Sequence, residues 1–582
     1  MKCLPHECHL YSSQGPAGVS FTSVITQLLA TQCLLTEPWP QDYSYSLSSK
    51  FVLAARYLFH LLKFPGGDKF DFIIIGSGTA GSLLASRLTE VEDWKVLLIE
   101  VGGDPLMESI VPNFSSSTHR TRNSFQYYTE RDENSNRGCI DQRSFWPRGK
   151  VLGGTGSING LLHMRGSEED YKPWHLKDND GWDWRTLREY FKKSEKIMGV
   201  GKIRGGNHKG RRVSTATAFL NPAGKRKNLY VMKHTFAYEI EIDDKTKRAF
   251  SVKVKLKYGD EEVYYAKNEI IVSAGSINTP KLLMLSGIGP RAHLEKIGIK
   301  VISNLPVGEN LQDHVRIPIP VTLNTGVEQR DEKFWQHAAA QYLIDQTGPH
   351  ATNYDQPNIN AFLSVPDGKK LPDVQIDHNY FLPNTSYVES MCSKTLSFKD
   401  SICKQFVDFN ADKEMLIFFV SLCRPHSRGK ILLRSTHSME HPKIFSNYFS
   451  DKRDIETFVK GIKKVTEIIS TPTFKGMNAE LKRIQFEGCD DHEFESDDYW
   501  ECMARAVTYN VYHPVGTTKM GKPNEPTSVV DSKLKVYGVK GLRVVDASIM
   551  PTIPSVNINA AVMMIAERAL NIDNIALVQH CI

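Results

Sequence analysis

The sequence predicts an α/β (α+β) fold: a parallel-sheet βαβ domain joined to a second domain of mixed antiparallel strands and helices. Three stretches predict it. An apolar strand turns through spaced glycines into a helix at Asp71-Phe72-Ile73-Ile74-Ile75-Gly76-Ser77-Gly78-Thr79-Ala80-Gly81. Residues 228–272 alternate as short strands, and a late apolar strand, 542–545, runs into Asp546 and then a long helix from Ala560 to about Asn571.

Glycines at the first, third and sixth turn positions let backbone N–H groups at a helix N-terminus approach a diphosphate, with no Cβ in the way. Gly76, Ser77, Gly78, Thr79, Ala80 and Gly81 are therefore candidates for holding a dinucleotide in a Rossmann-type domain. The helix runs from Ser82 to Leu88, and the next strand, Lys95–Ile99, ends in Glu100. An acidic residue there is placed to accept from both ribose hydroxyls of an adenosine.

With 582 residues the chain has room for two or more domains. A net charge of +6, spread along the sequence, points to neither a nucleic acid nor a membrane surface as partner. No run of about 18 uncharged apolar residues predicts a membrane span. Ten cysteines are too few for a disulfide-built scaffold. If the chain is secreted, Cys392 with Cys403 and Cys489 with Cys502 are the notable pairs. Cys3-Leu4-Pro5-His6-Glu7-Cys8-His9 looks like metal ligands but has no second half, so no metal site is expected. Sequons at Asn113 and Asn384 add to the expectation of a secreted protein, although no clean signal peptide stands at the N-terminus.

In chain order, residues 1–67 are expected to be a lead or targeting segment. Residues 68–315 form the nucleotide-binding domain with excursions, 316–500 the second domain, and 501–582 complete the first. Residues 106–145 read as a long surface excursion. A second glycine-rich loop, Trp146–Gly160, suits close approach to a flat ring or phosphates, though glycine is also ordinary turn punctuation. Asp183–Lys196 reads as an amphipathic helix. Leu229–Met232, Ala237–Ile242, Ala249–Tyr258, Glu262–Ala266 and Glu269–Val272 read as hairpin-rich strands. A helix is expected over Lys281–Ser286, with Pro280 at its start and Gly287 past its end.

Two late residues carry candidate chemistry. His513, in Tyr512-His513-Pro514-Val515-Gly516-Thr517, has a side chain suited to taking a proton from an alcohol. Asn557 lies just before the last helix, where capping is its rival role. Asp546 ends the last strand, where a parallel nucleotide-binding sheet meets its ligand.

Taken in order, these motifs resemble those of the glucose–methanol–choline (GMC) flavin oxidoreductases, from about Asp71 to Ala569. DFIIIGSGTAGSLLASRL resembles the FAD-binding turn and LLIEVGG the adenosine-binding acidic residue. PRGKVLGGTGSING resembles the first family signature and GSINTPKLLMLSGIG the second. VGENLQDHV, YHPVGTTKMG and GLRVVDASIMPTIPSVNINA complete the set. The resemblance implies FAD as cofactor. It implies that Val151, Gly154, Asn159, Gly160, Ala237, Ala274, Asp546 and Ala547 join the first turn and Glu100 around it. It implies that His513 takes the hydroxyl proton of an alcohol while a hydride passes to flavin N5, with Asn557 holding the substrate oxygen. The substrate implied is a sugar- or sterol-like alcohol, and the electron acceptor a quinone-like molecule or oxygen. The vocabulary is most similar to insect glucose dehydrogenase-like members, ecdysone oxidases among them.

The sequence departs from the family in one large respect. Several tens of residues usual in the family are missing after Gly210, which passes directly to Arg211-Arg212-Val213-Ser214-Thr215-Ala216. The missing piece would supply part of the substrate domain, so an open pocket or an inactive relative is the alternative expectation. His163 and Lys172 also depart from the first signature. His119 is the nearest candidate for covalent flavin attachment.

Overall fold

The computed structural model describes residues 38–44, 69–175, 179–198, 206–327, 332–352, 360–365, 368, 370–523 and 525–571. Most of the expected lead and the Cys3–His9 cluster lie outside these residues. Residues 38–44, expected to belong to the lead, pack on the first sheet. The Tyr43 ring lies edge-on to Tyr230 at 5.0 Å, and Asp42 Oδ1 accepts from the Lys233 N–H.

The labelled elements, in chain order, are β1 (Lys69–Ile75), α1 (Thr79–Leu88), β2 (Val96–Ile99), β3 (Leu229–Met232), β4 (Phe236–Ile242), β5 (Ala249–Lys255), β6 (Glu261–Val272) and α2 (Gly275–Leu285). They continue with β7 (Val315–Leu323), β8 (Ala361–Leu363), β9 (Val374–Phe381), β10 (Glu414–Leu422), α3 (Lys452–Ile469), β11 (Glu480–Leu481), β12 (Tyr509–Asn510), β13 (Leu542–Val544) and α4 (Asn559–Leu570).

The first sheet runs β3-β2-β1-β6-β5-β4, with β13 pairing β6. Its centre is parallel and in register, so Ile75 pairs with Ile99 and Val272, and Val272 with Val544. The carboxyl ends of four strands therefore form one row. Their carboxyl-terminal halves are largely apolar because both faces are covered there; Ile73, Ile74, Leu97, Leu98 and Ile270 are buried.

Several expectations need correction. The stretches 262–266 and 269–272, read as two strands, form the single strand β6. Its first half pairs antiparallel with β5 and its last three residues parallel with β13, so no turn is needed between them. Leu229–Met232 joins no hairpin but pairs parallel with β2. The helix expected from Lys281 begins at Gly275, with Pro280 inside it. Residues 106–145 do not run over the surface: Val111, Phe114 and Tyr127 are buried, and Ser124–Tyr128 forms a hairpin with Phe145–Gly149.

The second sheet is antiparallel, in the order β8-β9-β10-β7-β11, with β12 also pairing β7. Tyr509–Asn510, expected to belong to the first domain, therefore completes the second sheet. Pro318 and Pro320 sit in β7, where a missing N–H would break a central ladder. The carbonyl of Pro320 accepts from Lys482 N on the β11 side, and β12 and β11 pair with β7 only through Val315–Arg316 and Val321–Thr322. Pro318 lies between these two short partners. Helix α3, capped by the Asp451 side chain, buries Ile455, Phe458, Ile462 and Val465. Disulfides join Cys392 to Cys403 and Cys489 to Cys502, the pairs expected for a secreted chain.

Candidate active site

A cleft of about 310 Å³ opens at the shared row of strand ends. Its wall includes residues following β1, β2, β6 and β13, the usual place for a ligand in an open parallel sheet. Gly76, Gly78, Thr79, Ala80, Glu100, Gly154, Asn159, Gly160, Ala237, Ala274, Asp546, Ala547, His513 and Asn557 all line it.

The glycine turn has the properties that a diphosphate requires. Gly76 is at φ +99°, and a Cβ there would stand 2.5 Å from the Ser273 carbonyl oxygen. Helix α1 starts at Thr79 with no side-chain cap on its first N–H groups, so orphan donors and the positive end of the dipole face the cleft. The second glycine loop is stitched to the first: Gly153 N–H donates to Ser77 O at 2.8 Å. A Cβ on Gly154, at φ +54°, would come within 2.6 Å of the Gly78 Cα. Two backbones that close leave a smooth wall, which fits the flavin dinucleotide implied by the resemblance.

Three expected contact residues stand behind this wall. Ser77 is fully buried and donates through both N–H and Oγ to Glu100 Oε2. A Cβ on Gly81 would collide with Gly76 O, so this glycine permits close helix–turn packing. Val151 is buried and bridges to Gly103.

The two carboxylates are committed more heavily than their positions suggest. Glu100 already accepts three bonds, two from Ser77 and one from Gly102 N–H. With about four acceptor positions per carboxylate, it has room for one ribose hydroxyl rather than two. Asp546 accepts four, from Ser548 N–H and Oγ, Gly275 N–H and Thr279 Oγ. Its side chain anchors the N-terminus of α2 and leaves no lone pair for a ligand. Burial raises the pKa of both groups, against these hydrogen bonds.

At the other end of the cleft, β12 pairs with β7 and delivers the next loop, where Tyr512 takes a left-handed φ of +64° just before His513. A bulky residue there is a strained placement, and it sets the imidazole in the cleft wall. His513 Nδ1 lies 3.0 Å from His314 Nδ1, and His513 Nε2 lies 3.1 Å from Asn557 Nδ2. His314 Nε2 lies 3.0 Å from the Cys423 carbonyl oxygen.

These contacts assign the protons. A carbonyl only accepts, so His314 Nε2 carries its proton. Burial holds the His314 pKa down to about 4, so the neutral ring has a bare Nδ1. His513 must then place its proton on Nδ1, which leaves His513 Nε2 bare and accepting from the Asn557 amide. Asn557 does not cap α4, whose N-cap is Ile558 with no side-chain bond. Asn557 Oδ1 has no partner among the described residues.

His513 is kept neutral: burial first, then the neighbouring His314 and the charges of Arg316 and Arg148, push its pKa well below the usual value. Its backbone N–H donates to Asp313 Oδ1 at 2.8 Å, and the Tyr448 hydroxyl to Asp313 Oδ2 at 2.9 Å. Burial pushes Asp313 up to about 7, against these bonds and the Arg148 charge. Asp313 and His314 were not singled out by sequence reasoning, although VGENLQDHV contains both; their signal was the motif, and their role needed the fold. His119 lines the cleft, with Nε2 on the Ile158 carbonyl and Nδ1 without a partner among the described residues. His163 and Lys172 stay off the cleft, paired with Glu195 and Glu169.

The distant parts of the chain meet here. Thr79 Oγ donates to Asn559 Oδ1 at 3.0 Å, and Arg87 pairs with the buried Glu567 at 2.7 Å, joining α1 to α4. After the junction at Gly210, the hairpin of Asn207–His208 with Arg211–Arg212 sends Arg212 to Asn159 Oδ1 at 2.7 Å.

Family models for GMC oxidoreductases match residues 70–209 and 201–316 with the N-terminal part and 425–566 with the C-terminal part. The chain belongs to the GMC oxidoreductase family. The N-terminal match falls into two pieces that overlap over 201–209, next to the expected missing segment. A relative named glucose dehydrogenase [FAD, quinone], from Drosophila pseudoobscura pseudoobscura, is 33% identical over 608 aligned positions, covering 95% of this chain and 92% of that protein. Because 608 positions exceed the 582 residues here, the alignment carries gaps on this side. An ecdysone oxidase from Bombyx mori is 32% identical, covering 96% and 87% respectively. Among solved structures, a formate oxidase from Aspergillus oryzae RIB40 superposes with a TM-score of 0.72 at 23% identity, over 88% of this chain and 99% of that one. That likeness supports the α/β fold of this GMC oxidoreductase.

Proposed function

We propose that this GMC oxidoreductase is an FAD-dependent enzyme that oxidises the CH–OH group of a sugar- or sterol-like alcohol. The observation that carries the reading is the bare Nε2 of a neutral His513, paired with Asn557, in a cleft whose far end is an uncapped helix N-terminus. Gly76, Gly78, Thr79, Ala80, Gly154 and Glu100 would hold the dinucleotide. Bound FAD supplies the two-electron acceptor for the hydride that leaves the carbinol carbon. His513 Nε2 accepts the hydroxyl proton as this happens, and the Asn557 amide steers the same oxygen. Since His513 Nδ1–H already points at His314, protonation at Nε2 is partly shared along the His513–His314–Cys423 chain.

Relatives of nearly equal identity are named for glucose and for ecdysone, so the steroid-oxidase reading stands beside the sugar reading. The electron acceptor is quinone-like or oxygen. Two disulfides support a secreted enzyme, because such bonds persist in oxidising compartments.

The test is a purified full-length chain. A bound yellow chromophore bleached anaerobically by glucose or ecdysone is the expected result, and peroxide formation in air marks an oxidase. His513→Ala is expected to keep the chromophore and to slow bleaching by about 10²–10⁴-fold. Purification without flavin, as expected for an inactive relative of the family, would overturn the proposal.

A further inference from the structure

The substrate side of the cleft is built on one face of the second sheet, and that face carries a cation that helps hold His513 neutral but neither gives nor takes the substrate proton. Arg316, the second residue of β7, pairs across to Ser421 of β10 and to Tyr509 of β12. Asp377 of β9 lies opposite Phe419 of β10, two residues along from Ser421. Since side chains alternate between faces, Arg316, Ser421, Phe419, Asp377 and Asn379 project from the same face. Arg316, Asp377, Asn379 and Phe419 line the cleft.

The guanidinium is held in place from behind. Nε donates to Ser421 Oγ at 3.0 Å and Nη2 to Asp377 Oδ2 at 2.7 Å. Its carbon sits 5.3 Å from the centre of the Phe419 ring and 5.9 Å from that of Tyr509, and the Tyr509 hydroxyl leans on it as a further partner. A guanidinium has five N–H donors. Those contacts use three, so two are left without an acceptor among the described residues. Of the ion pair, Arg316 is the exposed member, its side chain 16% accessible against 2% for Asp377. A ligand therefore meets the guanidinium first, while Asp377 behind it offsets part of its charge.

We propose that Arg316 is a specificity-determining residue: its spare N–H groups bind a second oxygen of the substrate, away from the carbon being oxidised, so that the site takes neutral polyhydroxylated alcohols and rejects cationic ones. This rests on the alcohol-oxidation reading above and narrows its substrate class. A preformed, largely desolvated donor left empty by a monofunctional alcohol discriminates against it, and the guanidinium, nearer than its carboxylate partner, repels an ammonium-bearing alcohol. Asp377 behind it weakens the attraction for a substrate carboxylate.

The experiment uses the flavin-loaded full chain, with Arg316→Gln and the charge-balanced double variant Arg316→Gln/Asp377→Asn. Anaerobic flavin reduction is followed with benzyl alcohol, with choline, and with whichever of glucose and ecdysone reduces the wild-type flavin faster. The polyhydroxylated substrate is expected to lose about 10–100-fold in kcat/KM relative to benzyl alcohol, chiefly through KM, because one charge-assisted hydrogen bond is lost. Choline is expected to gain relative to benzyl alcohol. The double variant, which leaves no buried carboxylate unpaired, separates lost recognition from damaged folding, and flavin content reports the latter. Ratios unchanged within about twofold in both flavin-loaded variants would overturn the role of Arg316. Wild-type flavin reduced by benzyl alcohol but by neither polyhydroxylated compound would do the same. Wild-type flavin reduced by no alcohol would overturn the alcohol-oxidation reading itself.

Discussion

The Nδ1 atoms of His513 and His314 lie 3.0 Å apart, and only one of them carries a proton. The Cys423 carbonyl decides which, by claiming the Nε2 proton of His314. The proposed base, His513 Nε2, is thus set by a backbone atom two hydrogen bonds away. His314→Ala is expected to retain flavin and lose about 10–100-fold in flavin reduction, as His513 is freed to adopt the other tautomer. His314→Gln, whose amide can both accept from His513 and donate to Cys423, is expected to recover most of it. Stopped-flow reduction of the two variants checks this; equal rates in both would remove the tautomer role.

The pH dependence follows from Asp313 rather than from His513. A neutral His513 with a strongly lowered pKa does not titrate near its ordinary value, whereas buried Asp313 is pushed up to about 7. Ionised Asp313 under the His513 backbone favours positive charge on the imidazole, so flavin reduction is expected to rise as pH increases through about 7. Asp313→Asn should flatten that rise; a wild-type inflection that persists in the variant would reassign it. The stability sign is opposite. The folded pKa lies above the unfolded value of about 3.9, so the neutral form's contribution is complete below that value and is lost as pH rises through about 7. Thermal melts at pH 5.5 and 8.5 should show Asp313→Asn gaining on the wild type at the higher pH.

Gly154→Ala tests the contact of the two glycine loops. The new Cβ would meet the Gly78 Cα at 2.6 Å from a backbone at φ +54°, strain of about 1–3 kcal/mol before any clash. Loss of most of the bound flavin, read from the ratio of visible to ultraviolet absorbance, is the expected result. Full flavin content with an unchanged melting temperature would contradict the close packing.

The proposed secretion predicts a covalent pattern. Non-reducing peptide mapping should find Cys392 joined to Cys403 and Cys489 to Cys502, and removing either bond should cost about 3 kcal/mol in the chain-entropy account. Cys139 and Cys423 are free and buried, so they should resist thiol reagents until the chain unfolds. Glycan is expected on the exposed Asn384. The Asn113 amide is instead engaged by His350 Nδ1 at 3.3 Å and only partly accessible. Glycan found on Asn113 alone would contradict this assignment.

The sequence by itself determined what is local. A strand, three glycines and a helix start are consecutive residues, and their conformational needs can be read without knowing what surrounds them. The same holds for the strand Leu229–Met232 and for the last strand, read over 542–545 and found over Leu542–Val544, both legible from apolar pattern. The order of motifs was enough to mark His513 and Asn557. Tertiary structure decided the partners. That β6 is one strand follows from its partners β1 and β13, far away in the chain, and the Asp546 carboxylate is occupied because Gly275 and Thr279 fold onto it. His314 met His513, and Arg316 joined the wall of the cleft, only when β7 paired with β10 and β12. The physical reason is that a hydrogen bond depends on position to within a few tenths of an ångström, and only the packed core brings residues so far apart in the chain to that precision.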